Sequence, residues 1–521
     1  MIETSVCKLR REFDMTITLE DYKKKVLGCW MGKNIGGTLG APFEWRRQVN
    51  NVDFYTQDLK GEPLPNDDLD IQLLWLIMLE EQGINVNAHI MAEYWQNFVT
   101  PYWAEYGNAK VNMQAGILPP YTGIRNNYYK NSCGAFIRSE IWACIAPGRP
   151  DIAAKYAYED AILDHGDGEG THAAVFCAAM ESAAFIEKDI NKLIEIGLSY
   201  IPEDCGIVKA IHCAIASYKE GLTWLEARHK MLEAYRGSVF FGSLDMIAKE
   251  DIDRGFAEGD MGWDAPSNIG ILIIGLLYGE GDFDRSLCTT VNCGEDTDCT
   301  GATLGALYGI IYGIDHIPEK WIQPIGRGIK TACLNIGDLG FLGSNVPADV
   351  DNLTARTESI MRKIAFEQGL PVEMSGITPK STEANDLYAS KAAIAHMAAV
   401  ATRHSFPFYD IALEYVTGVS VKPGESAKLR LHIKNKYRFQ ASLNICCYVP
   451  DGWGWEVLPG KNFKSYIGQA AWYNNDTSID LEFKSNENYS CAQSRFVIEI
   501  TVDGRTTVML VPVLLLIEVL Q

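Results

Sequence analysis

The sequence predicts a multi-domain protein in which an all-α helical bundle is followed by a small all-β sandwich. Apolar residues recur at helical spacing over most of the chain before residue 375. From about Phe406 onward, apolar and polar residues alternate as they do in half-buried strands. We therefore expect an all-α catalytic domain over 18–375, a helical linker over 376–404 and a β-sandwich accessory domain over 405–521.

Composition narrows the class of protein. A chain of 521 residues is long for a single domain. Its net charge of −21 argues against a nucleic-acid partner, because a phosphate backbone attracts basic proteins. The longest apolar runs are too short for a membrane-spanning helix, so we expect no membrane partner. Fourteen cysteines without a C-x-x-C pair favour free thiols in a reducing, cytoplasmic compartment.

Helices are predicted from caps and periodicity. Thr18, with Asp21 three residues later, is typical of a helix N-terminus. A second helix is expected to begin near Asp68, and others over 151–163, 171–185, 208–218, 224–235, 268–278 and 301–312. The last has glycine at every fourth position from Gly301 to Gly313, which favours close approach of a neighbouring helix.

Three carboxylates lie within four residues just before that glycine-containing helix. They are Glu295, Asp296 and Asp298. Like charges raise one another's pKa, and burial raises it further. A hard cation such as Mg²⁺ removes this cost because it takes oxygen ligands. The stretch therefore predicts a metal ion with further oxygen ligands elsewhere in the chain.

A second carboxylate pair, Asp67 and Asp68, opens the helix that follows a proline-rich turn. Acids at a helix N-terminus also cap the helix and suit its dipole, and this interpretation stays open for both pairs. Three other segments hold candidate site residues: the glycine-rich 28–44, which ends in Glu44, the polar turn 131–138 and the acidic loop 164–172. The first lacks the Gly-Lys-Ser/Thr ending of a P-loop.

The order of these segments resembles the ADP-ribosylglycohydrolase family over about residues 22–363. The family's G-x-x-x-G-D-x-x-G-x-x-x-E element is similar to Gly32 to Glu44, and its T-D-D to Asn66 to Asp68. Its G-N-G-x-x-M-R turn is similar to Ser132 to Arg138, and its T-H to Asp164 and His165. Its N-x-G-G-D-T-D-T signature with the following helix is similar to Asn292 to Pro318.

The resemblance implies an all-α orthogonal helical bundle with two Mg²⁺ ions, Mn²⁺ being the alternative. It implies hydrolysis of an N- or O-glycosidic bond at C1 of a ribofuranose in a small-molecule or protein-linked glycoside. The implied metal ligands are Asn66, Asp67, Asp68, Asp296 and Asp298, with Glu44, Asp67 and Asp298 as catalytic residues. The implied substrate-binding residues are Cys133, Gly134, His165, Glu295 and Cys299.

The sequence departs from the family pattern at five positions. Gly37 replaces an Asp, Asn66 and Cys299 each replace a Thr, Glu295 replaces a Gly, and Cys133 replaces an Asn. Three hypotheses follow: a hydrolase of ADP-ribosylated protein or a related ribosyl compound, a furanoside-sugar glycosidase using the same two-metal site, and a non-catalytic ADP-ribose or sugar-binding protein. A homo-oligomer is also left open.

The C-terminal region is similar to the accessory β-sandwich found beside some bacterial carbohydrate-active enzymes. Trp453, Trp455 and Trp472 are candidate sugar-stacking platforms. The alternative, favoured for aromatic residues in strands, is that they fill the sandwich core.

Overall fold

The computed structural model describes residues 15–44, 46, 48–235, 262–334, 345–398, 400–458, 463–471 and 474–518. The chain forms two compact units. The first comprises Met1–Lys110 and Asn126–Ala398, and the second Val111–Arg125 and Ala399–Gln521. The predicted succession of a helical part and a β-rich part is confirmed.

The helices, in chain order, are α1 (Leu19–Gly40), α2 (Asp67–Gln82), α3 (Ala88–Phe98), α4 (Ala104–Gln114), α5 (Tyr121–Ile124), α6 (Glu140–Ile145), α7 (Pro150–Ala161), α8 (Glu169–Ala183), α9 (Ile190–Leu198), α10 (Gly206–Lys219), α11 (Trp224–Tyr235), α12 (Ala265–Gly279), α13 (Phe283–Asn292), α14 (Thr297–Tyr312), α15 (Glu319–Ile322), α16 (Val350–Gln368) and α17 (Lys391–Ala398). Strands β1 (Ile17–Thr18) and β2 (Val372–Glu373) pair in parallel. Among the described helices, none combines the length and apolarity needed to cross a bilayer.

The predicted cap of the first helix is confirmed, since the Thr18 hydroxyl accepts a hydrogen bond from the Asp21 N–H at 3.1 Å. Each helix expected from periodicity is present, with its ends moved by a few residues. For example, the helix expected over 151–163 is Pro150–Ala161, and that expected over 301–312 is Thr297–Tyr312.

A glycine seam joins α1 and α14, which run antiparallel in contact. Gly28, Gly32 and Gly36 face Gly309, Gly305 and Gly301 respectively. A Cβ on Gly32 would lie 2.0 Å from the carbonyl oxygen of Gly305. The two backbones therefore pack at a distance that no side chain at these positions would permit, as the glycine spacing predicted.

The second unit contains two five-stranded sheets that share one apolar core. The first has the order β3 (Thr402–Ser405), β4 (Tyr409–Tyr415), β6 (Ser426–Asn435), β10 (Asp476–Ser485) and β8 (Trp453–Leu458). The second has the order β5 (Ser420–Val421), β12 (Val508–Ile517), β11 (Gln493–Val502), β7 (Ala441–Tyr448) and β9 (Phe463–Ile467). Neighbouring strands are antiparallel except β5 and β12.

The segment Val111–Arg125 belongs to this β-rich unit although it precedes the unit's strands by almost three hundred residues. Ile117 and Tyr121 are buried in its core, and the Tyr121 ring packs edge-on against Tyr415 with centroids 4.7 Å apart. No local sequence pattern indicated that this segment would join the β-rich unit. The domain bounds stated above stay predictions.

Trp453 is a core residue of the β-rich unit. It is buried, packs edge-on against Phe496, and donates its indole N–H to the Ser494 hydroxyl at 3.1 Å. Trp455 is partly buried against the same core. Trp472 lies outside the described residues. For Trp453, the core interpretation therefore holds over the sugar-stacking one.

Candidate active site and metal centre

Carboxylates from three distant segments meet at one place in the helical unit. The ligand atoms of Asp68, Asp298 and Cys299 all lie within 4.8 Å of one another, and so do those of Glu44, Asp296 and Asp298. Asp298 belongs to both groups. The N-terminus of α2 and that of α14 therefore converge, as a shared cation site requires.

The packing of α1 against α14 along the glycine seam places Glu44 near Asp296 and Asp298. Gly40, the last residue of α1, lies against the first turn of α14, and its carbonyl accepts a hydrogen bond from the Thr297 hydroxyl at 2.8 Å. A short 3₁₀ turn, Ala41–Phe43, follows directly and ends at Glu44. Because α1 and α14 are antiparallel, the end of α1 must reach the start of α14, where Asp296 and Asp298 stand.

The backbone around Asp296 is fixed by its neighbours. Its N–H donates to the side-chain oxygen of Asn268 at 3.2 Å, and its carbonyl accepts from the Thr300 hydroxyl at 2.9 Å. The backbone at the start of α14 is therefore fixed without a ligand, which lowers the conformational entropy that binding would cost.

Burial and mutual repulsion raise the pKa values of the clustered carboxyls. Burial is the main cause for Glu44, whose pKa rises to about 11 with the charges of Asp298, Asp296, Asp67 and Asp68 contributing. Burial and then Asp68 raise the pKa of Asp67 to about 7. Burial and then Asp67 raise the pKa of Asp298 to about 6. Without a cation, the cluster therefore resists full ionisation, and its carboxyls bind protons more tightly than free carboxyls do.

Several carboxylate oxygens at the site accept no hydrogen bond from the described part of the chain. They are both oxygens of Asp68 and one oxygen each of Asp296 and Asp298. A buried carboxylate oxygen without a partner is expensive. A divalent cation relieves both this cost and the repulsion, and hard cations prefer oxygen donors. The acidic cluster thus fits a metal ion.

Lys33 is a buried cation behind α2. Its ammonium lies 2.7 Å from Glu140 and donates to the carbonyl of Ile137, and Gln72 donates to the other oxygen of Glu140 at 2.9 Å. The charge of Lys33 opposes the effect of burial on the pKa of Asp68, which still rises to about 7. Since Lys33 is already paired with Glu140, it does not neutralise the carboxylates of the cluster.

Asn66 caps α2 and faces Gly37. Its side-chain oxygen accepts the N–H of Asp68 at 2.7 Å. Its amide nitrogen would stand 1.6 Å from a Cβ on Gly37. The amide oxygen is thus engaged in the cap, and a role for Asn66 as a metal ligand stays a prediction.

His165 is fully buried and held at both ring nitrogens. Nδ1 lies 2.8 Å from a carboxylate oxygen of Asp164, and Nε2 lies 3.0 Å from the Ser132 hydroxyl. Arg138 donates to the same Asp164 at 2.7 Å. Although burial alone would raise it, the charges of Arg138 and His165 hold the pKa of Asp164 at about 2. The His165 ring therefore bridges the Asp164 carboxylate and the Ser132 hydroxyl.

Cys133, Cys299 and Glu295, three further predicted pocket residues, are all buried. Burial, followed by the charge of Asp296, raises the pKa of the Cys133 thiol. Cys299 shares a potential ligand group with Asp68 and Asp298. Glu295 is buried against Gly262 with a left-handed backbone, φ 67°, a conformation that favours glycine. This φ value accounts for a glycine at this position in the family pattern, whereas here the residue is Glu295, whose carboxylate lies against Gly262.

Glu105 is a candidate site residue that the sequence did not indicate. It lies in the first turn of α4, is buried, and its carboxylate would stand 2.0 Å from a Cβ on Gly134. Gly134 is therefore needed to admit this carboxylate. Burial raises the pKa of Glu105 while the charge of His165 opposes the rise. A lone acid in a polar helix carries no sequence signal for this role.

Comparison with known proteins shows the family of the chain. The sequence matches the ADP-ribosylglycohydrolase family over residues 18–345. The chain belongs to this family. It is 42% identical over 48 residues to the ADP-ribosyl-[dinitrogen reductase] glycohydrolase of Rhodospirillum rubrum. That stretch covers 9% of this chain and 16% of the relative.

Matches to solved structures add little. A FixG-related protein from Vibrio parahaemolyticus aligns with 22% of this chain and all of its own, at 9% identity and a TM-score of 0.18. The alkylpurine DNA glycosylase AlkC of Pseudomonas fluorescens aligns with 73% of this chain and 97% of its own, at 12% identity and a TM-score of 0.14. Likenesses of this size support no conclusion about the chain.

Proposed function

We propose that the chain is a metal-dependent hydrolase that cleaves the C1 glycosidic bond of a ribofuranosyl group. The observation that carries the proposal is the convergence of Glu44, Asp68, Asp296 and Asp298, with carboxylate oxygens that accept no hydrogen bond from the described residues. The proposed ligands of two Mg²⁺ or Mn²⁺ ions are Asn66, Asp67, Asp68, Asp296 and Asp298. When bound, such ions supply Lewis-acid polarisation and acidify water.

Glu44 is the proposed general base. It follows the C-terminal end of a helix, whereas the cluster's other acids cap or begin helices, and it is partly exposed. As the bond from C1 to the departing nitrogen or oxygen breaks, the water oxygen bonds to C1 and the Glu44 carboxylate, with its charge offset, accepts a proton from that water. The leaving group takes up one proton in exchange, so that the water is divided between the sugar and the leaving group and Glu44 returns to its carboxylate form.

The negative field of the cluster supports the same reaction. Cleavage at C1 passes through an oxocarbenium-like transition state, in which positive charge develops on the sugar. Preorganised carboxylate oxygens stabilise that charge without reorganising during the reaction. Asp67, predicted as catalytic together with Asp298, contributes to this field from the first turn of α2.

A neutral furanoside is the second candidate substrate. Glu105 adds a buried carboxylate whose charge contributes to raising the pKa of Asp67. Excess negative charge disfavours a diphosphate more than an uncharged sugar. This observation favours the furanoside-sugar glycosidase over an enzyme acting on ADP-ribose.

The experiment is a substrate panel in saturating Mg²⁺, comparing ADP-ribosylated arginine and serine peptides with nitrophenyl furanosides. Release of free sugar or ADP-ribose that stops with Asp298→Ala supports the proposal, and the substrate cleaved decides between the two candidates. Binding of ADP-ribose or sugar without turnover of any substrate would instead support the non-catalytic binding protein. A pentofuranoside cleaved equally by wild type and Asp298→Ala would contradict the metal assignment.

A further inference from the structure

A second group of potential ligand atoms lies outside the carboxylate cluster. Glu169, His172 and Cys205 place a carboxylate oxygen, a ring nitrogen and a sulfur within 4.8 Å of one another. None of these three residues belongs to the proposed hydrolytic site. The group therefore needs its own explanation.

Two helix N-termini bring the three side chains together. Glu169 and His172 are three residues apart in the first turn of α8, so they share one face of the helix. Cys205 is the N-cap residue of α10. The two oxygens of Glu169 accept the N–H groups of Gly206 at 2.8 Å and Ile207 at 3.1 Å, which holds the start of α10 against α8.

The His172 ring is the unusual member. Its Nδ1 atom is buried and makes no hydrogen bond with the described part of the chain. The nearest carboxylate oxygen, on Glu169, is 3.9 Å away, too far for a hydrogen bond. A buried ring nitrogen without a partner is costly. It lies among two further side chains that are good metal ligands, and the side chains of His172 and Glu169 are only 27% and 24% exposed.

We propose that Glu169, His172 and Cys205 bind one Zn²⁺ ion at a site separate from the carboxylate cluster. The donors are nitrogen, sulfur and oxygen, the set that zinc uses, whereas Mg²⁺ takes oxygen alone. Thiolate and carboxylate charges offset those of the ion and of the two helix N-termini that surround it. Three protein ligands leave the fourth tetrahedral position to water.

An ion at this site would cross-link the start of α8 to the start of α10. The same turn of α8 carries Gly170, where an added Cβ would lie 2.0 Å from the His165 ring. Zinc would therefore hold the turn against which His165 packs. The proposal does not depend on the proposed hydrolytic function.

The test is a Co²⁺ titration of the reduced full-length protein in excess Mg²⁺. Co²⁺ adopts zinc geometry and gives a near-ultraviolet charge-transfer band only when a thiolate is bound. We expect this band to saturate at one equivalent and to be abolished by stoichiometric Zn²⁺. Cys205→Ser should remove the band, and His172→Gln should weaken Co²⁺ binding at least about tenfold.

Three matched control variants separate this site from others. Cys213→Ser and His212→Gln alter a thiol and an imidazole of the same helix α10 that lie outside the group, and the band should persist in both. Cys299→Ser removes the thiol beside Asp68 and Asp298, and the band should persist there as well. Absence of the band in the wild type, or its survival in Cys205→Ser, would overturn the proposal.

Discussion

The amide nitrogen of Asn66 occupies the space in which a side chain on Gly37 would have to begin, 1.6 Å from the position of a Cβ there. These are two of the five positions at which the sequence departs from the family pattern, which has Thr and Asp there. The departures fit each other, because the longer Asn side chain needs the missing Cβ of Gly37. The two substitutions are therefore one structural change.

A double-mutant cycle tests this coupling. Gly37→Ala should destabilise the protein by about 1–3 kcal/mol, since the new methyl overlaps the Asn66 amide. Asn66→Thr alone should cost little, because threonine also caps helices. In the double variant the loss should largely disappear, giving an interaction energy of about 1 kcal/mol or more from urea unfolding. Additive losses would contradict the coupling.

The glycine seam gives a second stability prediction. Gly32→Ala should destabilise the helical unit by about 2 kcal/mol or more, because the methyl would meet the backbone of α14, which cannot rotate away. Gly328→Ala is the matched control, since an added Cβ there has no neighbour within 4 Å. Guanidinium unfolding of both variants measures the difference. Equal stability of the two variants would show that the helices separate freely.

Replacing Asp298 should raise the stability of the metal-free protein and reduce the stabilisation by Mg²⁺. Without divalent cations, Asp298→Asn should stabilise the protein by about 1–3 kcal/mol at pH 8, because it removes a buried negative charge from a repulsive group. In the wild type, Mg²⁺ about 100-fold above its Kd should stabilise by about 2.7 kcal/mol, and the variant should lose most of this gain. Differential scanning calorimetry with EDTA or Mg²⁺ measures both effects.

Asp315→Asn, at an exposed acid paired with Lys24, is the control and should behave as the wild type with Mg²⁺. A variant at Asp298 that is less stable than the wild type in EDTA, yet equally stabilised by Mg²⁺, would remove Asp298 from the metal site.

Lys25 gives a pH prediction away from the site. It is buried and donates to the carbonyls of Ala184 and Ile311. Burial, and then the charge of Lys188, lowers its pKa from 10.5 to about 7. Between these two values the unfolded chain binds more protons than the folded one, so stability rises with pH over this window.

The variant Lys25→Met lacks this titration. The free energy of unfolding of the wild type, minus that of Lys25→Met, should therefore increase from pH 7 to pH 10 by at most about 1.4 kcal/mol per pH unit. Urea titrations at several pH values measure the difference. A constant difference would mean that Lys25 keeps its ordinary pKa in the folded state.

The sequence contains N-cap residues for helices that apolar periodicity alone did not indicate. α3, α9, α13 and α16 were not predicted, yet each begins after an Asn or Asp that accepts a backbone N–H: Asn87, Asp189, Asp282 and Asp349. Those cap residues could have identified all four helices. Short amphipathic helices are easily missed when only long apolar faces are sought.

The sequence indicated which acidic residues form the site, but not how close together they lie. The acids Glu44, Asp68, Asp296 and Asp298 were each indicated by their local context. Their meeting depends on the α1–α14 seam, and sequence spacing does not encode a distance between helices. Glu105 and the excursion Val111–Arg125 had no local signal, because their roles are fixed only by tertiary packing.

The spacing of the cysteines predicted free thiols. Each described cysteine is a free thiol and most are buried, which agrees with the spacing pattern of the sequence. The cytoplasmic location stays a prediction.

The most direct test of the account is the initial rate of glycoside hydrolysis by Glu44→Gln on the best substrate of the panel, in saturating Mg²⁺. The account predicts a rate lower by about 10²–10⁴-fold, because the proton acceptor is lost, with Mg²⁺ still stabilising the protein. A variant that turns over substrate as fast as the wild type would contradict the account.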